Sequence, residues 1–177
     1  GYIGSRLLQK LEEDGEQRKL VSFDTRPLAF PIHNIAAYRR DVTESIEETL
    51  LLHRATTLVH LAFISKRGRN RREVGANRQA NLDTLKSVLE SCGRARVRHF
   101  IYLSSHTVYG AHSDNPIPLT DNTPLRPLPD FPYGYDKYVS EQMIREFGDQ
   151  HQDMKVTILR SCVVLGPNGA ESIARAL

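Results

Sequence analysis

The sequence has few cysteines, little excess charge and no long apolar run. Its two cysteines, Cys92 and Cys162, are too few for a disulfide framework, which suits a reducing cytosol. No apolar run approaches the roughly 20 residues that a membrane span needs, and no signal peptide is visible. The net charge of +3 is too small to indicate nucleic-acid binding by itself. We therefore expect a cytoplasmic protein that binds neither a membrane nor a nucleic acid.

Two further absences concern metal ligands and the start of the chain. No cluster of His, Cys and Asp has metal-ligand spacing, so we predict no metal site and expect His60 to be a core histidine. The chain lacks an initiator methionine and begins at Gly1 inside a motif, from which we expect a fragment of a longer protein. Its 177 residues, 40% hydrophobic and 25% charged, are typical of one soluble globular domain or part of one.

The most informative stretch runs from residue 99 to residue 137. An apolar, β-rich run at residues 99–103 predicts a buried strand of a parallel sheet, and Ser104, Ser105 and Thr107 follow it. In open α/β sheets, ligands bind outside the carboxyl ends of the strands. We therefore expect Ser105 and Thr107 to lie at a functional site.

A second pair of residues follows a proline-rich loop. Tyr133 and Lys137 are four positions apart, so on a helix they share one face. A free phenol has a pKa of about 10, and an ammonium beside it lowers that pKa, which gives a useful proton shuttle. Tyr-x-x-x-Lys and Ser-Ser each occur by chance in many proteins, but the two together in this order are far more specific.

These motifs resemble those of a known family. Ser104-Ser-His-Thr-Val-Tyr-Gly110 and Tyr133-Gly-Tyr-Asp-Lys137 are similar to the Ser-Ser-x-x-Val-Tyr-Gly and Tyr-Gly-x-x-Lys segments of the extended short-chain dehydrogenase/reductases. Within them, the chain resembles the NAD-dependent epimerase/dehydratase group, and most of all its sugar-nucleotide epimerases. The resemblance extends over essentially the whole chain.

The resemblance implies an α/β fold, a doubly wound parallel sheet of Rossmann type. The family's first strand, at the centre of that sheet, is missing, so its neighbours would be left unpaired. Residues 1–177 would form a partial NAD-binding domain, with the substrate-binding region beginning near residues 168–177. We also expect a homodimer.

The start of the chain is expected to bind the cofactor, NAD. Gly1-Tyr2-Ile3-Gly4 precedes a predicted helix, and a predicted strand ends at Asp24, 20 positions after Gly4. That spacing matches the dinucleotide fingerprint, in which glycines let the backbone approach a pyrophosphate and the acidic residue binds ribose hydroxyls. By themselves the glycines indicate only a helix start and a turn. Asp24 favours NAD over NADP, whereas Arg26 leaves NADP open.

The resemblance adds further cofactor contacts. Each of these positions matches a family motif: Asp41 and Val42 near the adenine, Leu61 and Ala62 at the end of a predicted buried strand over residues 57–62, Asn81 on the following helix, and Ser104, Tyr133 and Lys137. Asp41 is also a plausible helix cap. Phe63 stands where alanine is usual in the family, a departure that would alter the cofactor pocket.

One compact basic run, residues 66–72, has two interpretations. It resembles a phosphate-binding patch for nucleic acid, but no aromatic residues interleave with it, so a solvated loop is favoured. In the family this segment lies at the edge of the active site, where an arginine would reach a sugar-nucleotide phosphate.

The resemblance also implies a reaction. Tyr133 takes the proton of a sugar hydroxyl as hydride passes to the nicotinamide, Lys137 holds the ribose and lowers the tyrosine pKa, and Ser105 with Thr107 hydrogen-bonds the reacting oxygen. A dehydratase needs a carboxylic acid and a carboxylate beside the serine, where this chain has His106 and Thr107. We therefore expect a nucleotide-sugar epimerase that works through a keto intermediate.

Two alternatives remain open. One is a reductase or a 3β-hydroxysteroid-type dehydrogenase of the same family. The other is a non-catalytic NAD(P)-binding sensor, against which the presence of Ser105, Tyr133 and Lys137 argues.

Overall fold

The structure, a computed structural model, describes residues 1–14, 19–28, 31–65, 68, 70–164 and 166. Helices and strands alternate along most of the chain, as in βαβ units. Their order is α1 (Tyr2–Glu13), β1 (Leu20–Asp24), β2 (Ile35–Arg39), α2 (Glu47–Leu52), β3 (Thr57–His60), α3 (Arg71–Arg94), β4 (His99–Ser105), a 3-10 helix (His106–Tyr109), α4 (Pro132–Gln150) and β5 (Lys155–Ser161).

The described strands pair in parallel and form two sheets. β1 pairs with β2, and β4 lies between β3 and β5. The expected parallel α/β fold of Rossmann type is confirmed. The two sheets are not joined between β1 and β3. In the strand order of a dinucleotide-binding sheet, the first strand occupies that position.

Three strands end earlier than the sequence predicts, those expected over residues 38–42, 57–62 and 155–165. The strand predicted over residues 57–62 is β3, which ends at His60. The strand predicted over residues 38–42 is β2, which ends at Arg39 because its register with β1 ends at the pair Asp24 and Arg39. The strand predicted to continue to residue 165 is β5, which ends at Ser161, the partner of the last β4 residue. Residues 110–131 form a loop without helix or strand, as the sequence predicts.

The core lies between β4 and the helices α3 and α4. On α3, the side chains of Leu85, Val88 and Leu89 are buried, and they pack with Phe100 of β4 and Ile144 of α4. The apolar face of α3 is therefore the core-facing one. None of the helices that the structure describes is both long enough and apolar enough to cross a membrane.

Candidate functional site

The site is built at the carboxyl end of β4, where two hydroxyl groups meet. Ser105, the last residue of β4, accepts hydrogen bonds from the Thr107 hydroxyl at 3.0 Å and from the Thr107 amide at 3.3 Å. Ser105 is buried, and its own hydroxyl proton is available to a third oxygen. The structure therefore brings together the two residues that the sequence assigns to the reacting oxygen.

Tyr133 lies in the first turn of α4 and completes this cluster of hydroxyl groups. Pro132 begins the helix, a position where its missing N–H is no loss. The next residue, Tyr133, hydrogen-bonds Ser105 through its phenol. Ser105, Thr107 and Tyr133 thus converge, as the sequence predicts.

Gly134 allows this close approach. A Cβ atom at Gly134 would lie 2.9 Å from the carbonyl oxygen of Thr107 and 3.1 Å from its hydroxyl oxygen. The absence of a side chain therefore lets the start of α4 rest against the 3-10 helix.

Lys137 follows one turn later and is buried beneath the tyrosine. Its Nζ donates to the carbonyl oxygen of Leu103 at 2.7 Å and to the hydroxyl of Tyr102 at 3.3 Å. The same nitrogen lies 3.8 Å from the ring centroid of Phe63. Burial lowers the pKa of Lys137 to about 7, although the Glu141 carboxylate acts in the opposite direction.

The predicted lowering of the Tyr133 pKa by Lys137 is not seen in this structure. Burial raises the pKa of Tyr133, and the opposing effect comes from its hydrogen bond with Ser105. The reason is the orientation of Lys137, whose ammonium donates to Leu103 and Tyr102 instead.

Ser104 lies on the other face of β4 from Ser105. Neighbouring strand residues point to opposite faces, so Ser104 and Ser105 do not share surroundings. The Ser104 side chain is buried, and its hydroxyl donates to Oε1 of Glu141 at 2.6 Å. The side chain thus contacts α4, and the cofactor contact of Ser104 stays a prediction.

The Asn81 side chain is hydrogen-bonded to the main chain, and its cofactor contact stays a prediction. Its Oδ1 accepts from the Ile64 amide at 2.8 Å, and its Nδ2 donates to the Ile64 carbonyl at 3.3 Å. Ile64 follows Leu61, Ala62 and Phe63, so Asn81 fixes the segment that carries the predicted cofactor residues. Its contribution is to position that segment.

The glycine-containing start of α1 lies beside Asp24. The first helical bond of α1 runs from the Ser5 amide to the Gly1 carbonyl, which leaves the amides of Tyr2, Ile3 and Gly4 without helical acceptors. The Asp24 carboxylate accepts from the Gly1 nitrogen and from the Arg26 amide, both at 2.9 Å. Burial raises the pKa of Asp24, but these hydrogen bonds outweigh it and hold the pKa below its usual value.

Two other segments of the predicted cofactor site lie next to the start of α1 and Asp24. A Cβ atom at Gly4 would lie 3.5 Å from Cδ1 of Leu61, so the end of β3 packs on α1. The Arg40 amide donates to the Asp24 carbonyl, which brings Asp41 and Val42 close to Asp24. Asp41 itself accepts from the Thr43 amide at 3.0 Å, and its contact with adenine stays a prediction.

Comparison with known proteins decides the family. A sequence model of the NAD dependent epimerase/dehydratase family matches residues 1–177. The chain belongs to this family. It is 28% identical over 170 residues to UDP-glucose 4-epimerase of Erwinia amylovora, an alignment covering 90% of this chain and 50% of that protein. For UDP-glucose 4-epimerase of Azospirillum brasilense the identity is 27% over 193 residues, with 99% and 50% covered. The chain spans about half the length of these curated relatives.

Solved structures share the fold of this chain. UDP-glucose 4-epimerase of Thermotoga maritima with UDP-glucose is similar with a TM-score of 0.80 at 25% identity, covering 94% of this chain and 54% of that one. The enzyme of Thermus thermophilus, solved with NAD, gives 0.77 at 21% identity, with 90% and 51% covered; at that identity the likeness concerns the fold alone.

Tyr102 and Phe131, which adjoin Lys137 and Tyr133, were not among the predicted site residues. Tyr102 contacts Lys137, and the rings of Phe63 and Phe131 lie 5.6 and 6.1 Å from the ring of Tyr133. The alternation of β4 is a signal for Tyr102, which shares a face with Ser104. Nothing local in the sequence indicates that Phe63 and Phe131 meet at Tyr133.

Some predictions fall partly or wholly outside the described residues. In the basic run, Lys66, Arg67 and Arg69 lie outside them, whereas Arg71 and Arg72 are exposed at the start of α3. Residues 168–177, the predicted start of a substrate-binding region, also lie outside. In the part of the chain that is described, no three His, Cys, Asp or Glu side chains are grouped as metal ligands.

Proposed function

We propose that this chain is the NAD-binding part of a sugar-nucleotide epimerase. The observation that carries the proposal is the convergence of Ser105, Thr107 and Tyr133 above the buried ammonium of Lys137. Support comes also from the relatives named as UDP-glucose 4-epimerases. The homodimer and the cytoplasmic location stay predictions.

The described residues fit a dinucleotide. Amides at the start of α1 are donors for the pyrophosphate, and the Asp24 carboxylate beside them is an acceptor for ribose hydroxyls. A carboxylate repels a 2′-phosphate, which favours NAD over NADP. When bound, NAD supplies the hydride acceptor and donor of the reaction.

Tyr133 is the proposed acid–base group. To take a proton from a sugar hydroxyl it must first lose its own, and the hydrogen bond with Ser105 favours that loss. Burial raises the pKa of Tyr133, so the phenolate is a strong base once it forms. The same group returns the proton when the keto intermediate is reduced.

Ser105 and Thr107 are the proposed hydrogen-bonding groups for the reacting oxygen. The Thr107 hydroxyl donates to Ser105, so the Ser105 proton can be donated onward to an oxygen of the ligand or to Tyr133. Donors fixed in advance in a buried site stabilise developing negative charge. Lys137, one turn below, is the proposed ribose-binding group.

Epimerisation is favoured over dehydration because the carboxyl pair required for water elimination is absent beside Ser105. Position 107 is a threonine, and the His106 ring nitrogen Nδ1 lies 3.2 Å from the Ser161 carbonyl oxygen. Neither residue can act as a carboxylic acid with a carboxylate. An epimerase needs only the reversible transfer of a hydride from one carbon and of a proton from its hydroxyl.

The test is turnover of UDP-glucose by the full-length protein with NAD, followed by NMR detection of the 4-epimer. Tyr133→Phe should lose about 10²-fold or more in kcat and still bind NAD. Tyr138→Phe, on the same helix, is the matched control and should keep its activity. Tight NAD binding without turnover would instead support a sensor, and net consumption of NADH with a ketone would support a reductase.

A further inference from the structure

A buried ion pair lies beneath the site, between α4 and β5. Glu141 is fully buried, and Arg160 exposes only a tenth of its side chain. The Arg160 guanidinium binds the carboxylate through two nitrogen atoms. Nε donates to Oε1 at 3.1 Å, and Nη2 donates to Oε2 at 2.9 Å. Bidentate geometry of this kind fixes both side chains.

Glu141 and Arg160 each bind a further residue, and these residues lie close in sequence to Ser105 and Thr107. The Ser104 hydroxyl donates to Glu141 at 2.6 Å, and Ser104 immediately precedes Ser105. Arg160 Nη1 donates to the Tyr109 hydroxyl at 2.8 Å, and Tyr109 is the last residue of the 3-10 helix that contains Thr107. The ion pair therefore joins β4, the 3-10 helix, α4 and β5.

Stability alone does not require charged groups at these positions. Replacing a buried ion pair by apolar residues of similar volume is often neutral or stabilising, because burying two charges has a large desolvation cost. Precise placement, in contrast, has a large effect on catalysis: a misplacement of about 1 Å can lower a rate by roughly 10²-fold.

We propose that Glu141 and Arg160 are positioning residues, whose ion pair fixes Ser105 and Thr107 relative to Lys137. The inference rests on the function proposed above. Glu141 lies one turn after Lys137 on the same helix, so the carboxylate also acts on the ammonium directly. In agreement, Glu141 raises the pKa of Lys137 against the effect of burial.

The decisive variant is the apolar double substitution Glu141→Leu with Arg160→Met in the full-length protein. We expect it to regain the thermal stability that each single substitution loses, while kcat stays roughly 10²-fold below wild type. The KM for the sugar nucleotide should change little, because neither residue touches the ligand. Recovery of kcat together with stability would overturn the proposal, since the pair would then be structural.

Milder variants keep the proposal testable if the double variant does not fold. Ser104→Ala and Tyr109→Phe each remove one hydrogen bond of the ion pair, and each should lower kcat several-fold at nearly unchanged KM. Arg145→Met is the matched control: this exposed arginine lies 3.9 Å from Glu141, and its loss should leave kcat unchanged. Normal kcat in both milder variants would also overturn the proposal.

A readout independent of turnover separates this inference from the proposed function. Besides Glu141, the titratable groups that interact with the Lys137 ammonium among the described residues include Tyr102 and His60. The Lys137 pKa is obtained from the pH dependence of unfolding, with and without Lys137→Met. In the double variant this pKa should fall below the wild-type value, and an unchanged pKa would count against the positioning role. A wild-type protein without epimerase turnover would refute the proposed function alone.

Discussion

The Nζ of Lys137 lies 2.7 Å from the carbonyl oxygen of Leu103. A carbonyl and a phenol only partly replace the water that a charged ammonium loses on burial. Burial therefore lowers the pKa of Lys137 to about 7, so that both forms of the side chain are populated near neutral pH. The burial of Lys137, the proposed ribose-binding group, therefore lowers the free energy of unfolding.

Lys137→Met should stabilise the protein while it weakens NAD binding. The folded pKa, about 7, is below the ordinary value of 10.5, so the penalty is fully present below pH 7. It diminishes as pH rises from about 7 and is gone at 10.5. Burying the charge costs on the order of 5 kcal/mol, more than the roughly 1–3 kcal/mol lost when the Leu103 carbonyl loses its partner.

Urea unfolding across that pH range measures this effect. The stability advantage of Lys137→Met over wild type should be largest below pH 7 and should fall steadily up to pH 10.5, where the lost hydrogen bond to Leu103 leaves the variant the less stable protein. Lys86→Met is the control, because Lys86 exposes 67% of its side chain and should show no such window. A destabilised Lys137→Met protein at neutral pH would contradict the prediction.

His60→Phe should make the fold less sensitive to acid. His60, buried in the core as the sequence predicts, stacks on Tyr102 with ring centroids 5.8 Å apart. Burial, with a contribution from Lys137, lowers its pKa from 6.5 to about 4. Its contribution to stability is therefore present above pH 6.5 and is lost as pH falls towards 4, by about 3 kcal/mol in total.

The free energy of unfolding should therefore decrease less between pH 6.5 and 4 in His60→Phe than in wild type. His33→Phe, at an exposed position, should retain the wild-type decrease. Equal acid sensitivity of His60→Phe and wild type would assign the loss to other groups.

The sequence predicts the fold and the main site residues because both depend on local patterns. The apolar run of β4 and the four-residue spacing of Tyr133 and Lys137 are visible in the chain itself, and the structure places both as expected. The direction of each pKa shift is not visible, because it depends on burial and on partners from distant segments. Glu141 and Arg160 are 19 positions apart, and only the packing of β5 beside β4 brings them together.

Asp24→Ala should relax the preference for NAD over NADP. The carboxylate lies beside the start of α1, and its hydrogen bonds keep it charged at neutral pH. Without that charge, a 2′-phosphate is no longer repelled and Arg26 is free to attract it. Calorimetric titration of the full-length protein should show the NAD to NADP affinity ratio fall by roughly 10-fold or more, an effect of about 1.4 kcal/mol. Tighter binding of NADP by the wild-type protein would contradict the role given to Asp24.

Gly134→Ala should separate the start of α4 from the 3-10 helix. The added methyl group would lie 2.9 Å from the Thr107 carbonyl oxygen, and main chain cannot move aside as a flexible side chain can. Tyr133 would shift away from Ser105, and we expect kcat to fall by roughly 10²-fold.

Gly75→Ala is the matched control for Gly134→Ala, because it is also a glycine within a helix. A Cβ atom at Gly75 would meet nothing within 4 Å, so the substitution should stabilise α3 by about 1 kcal/mol without changing kcat. Measured side by side, the two variants separate helix propensity from active-site geometry. Near-normal kcat in Gly134→Ala would show that the contact between α4 and Thr107 does not set the position of Tyr133.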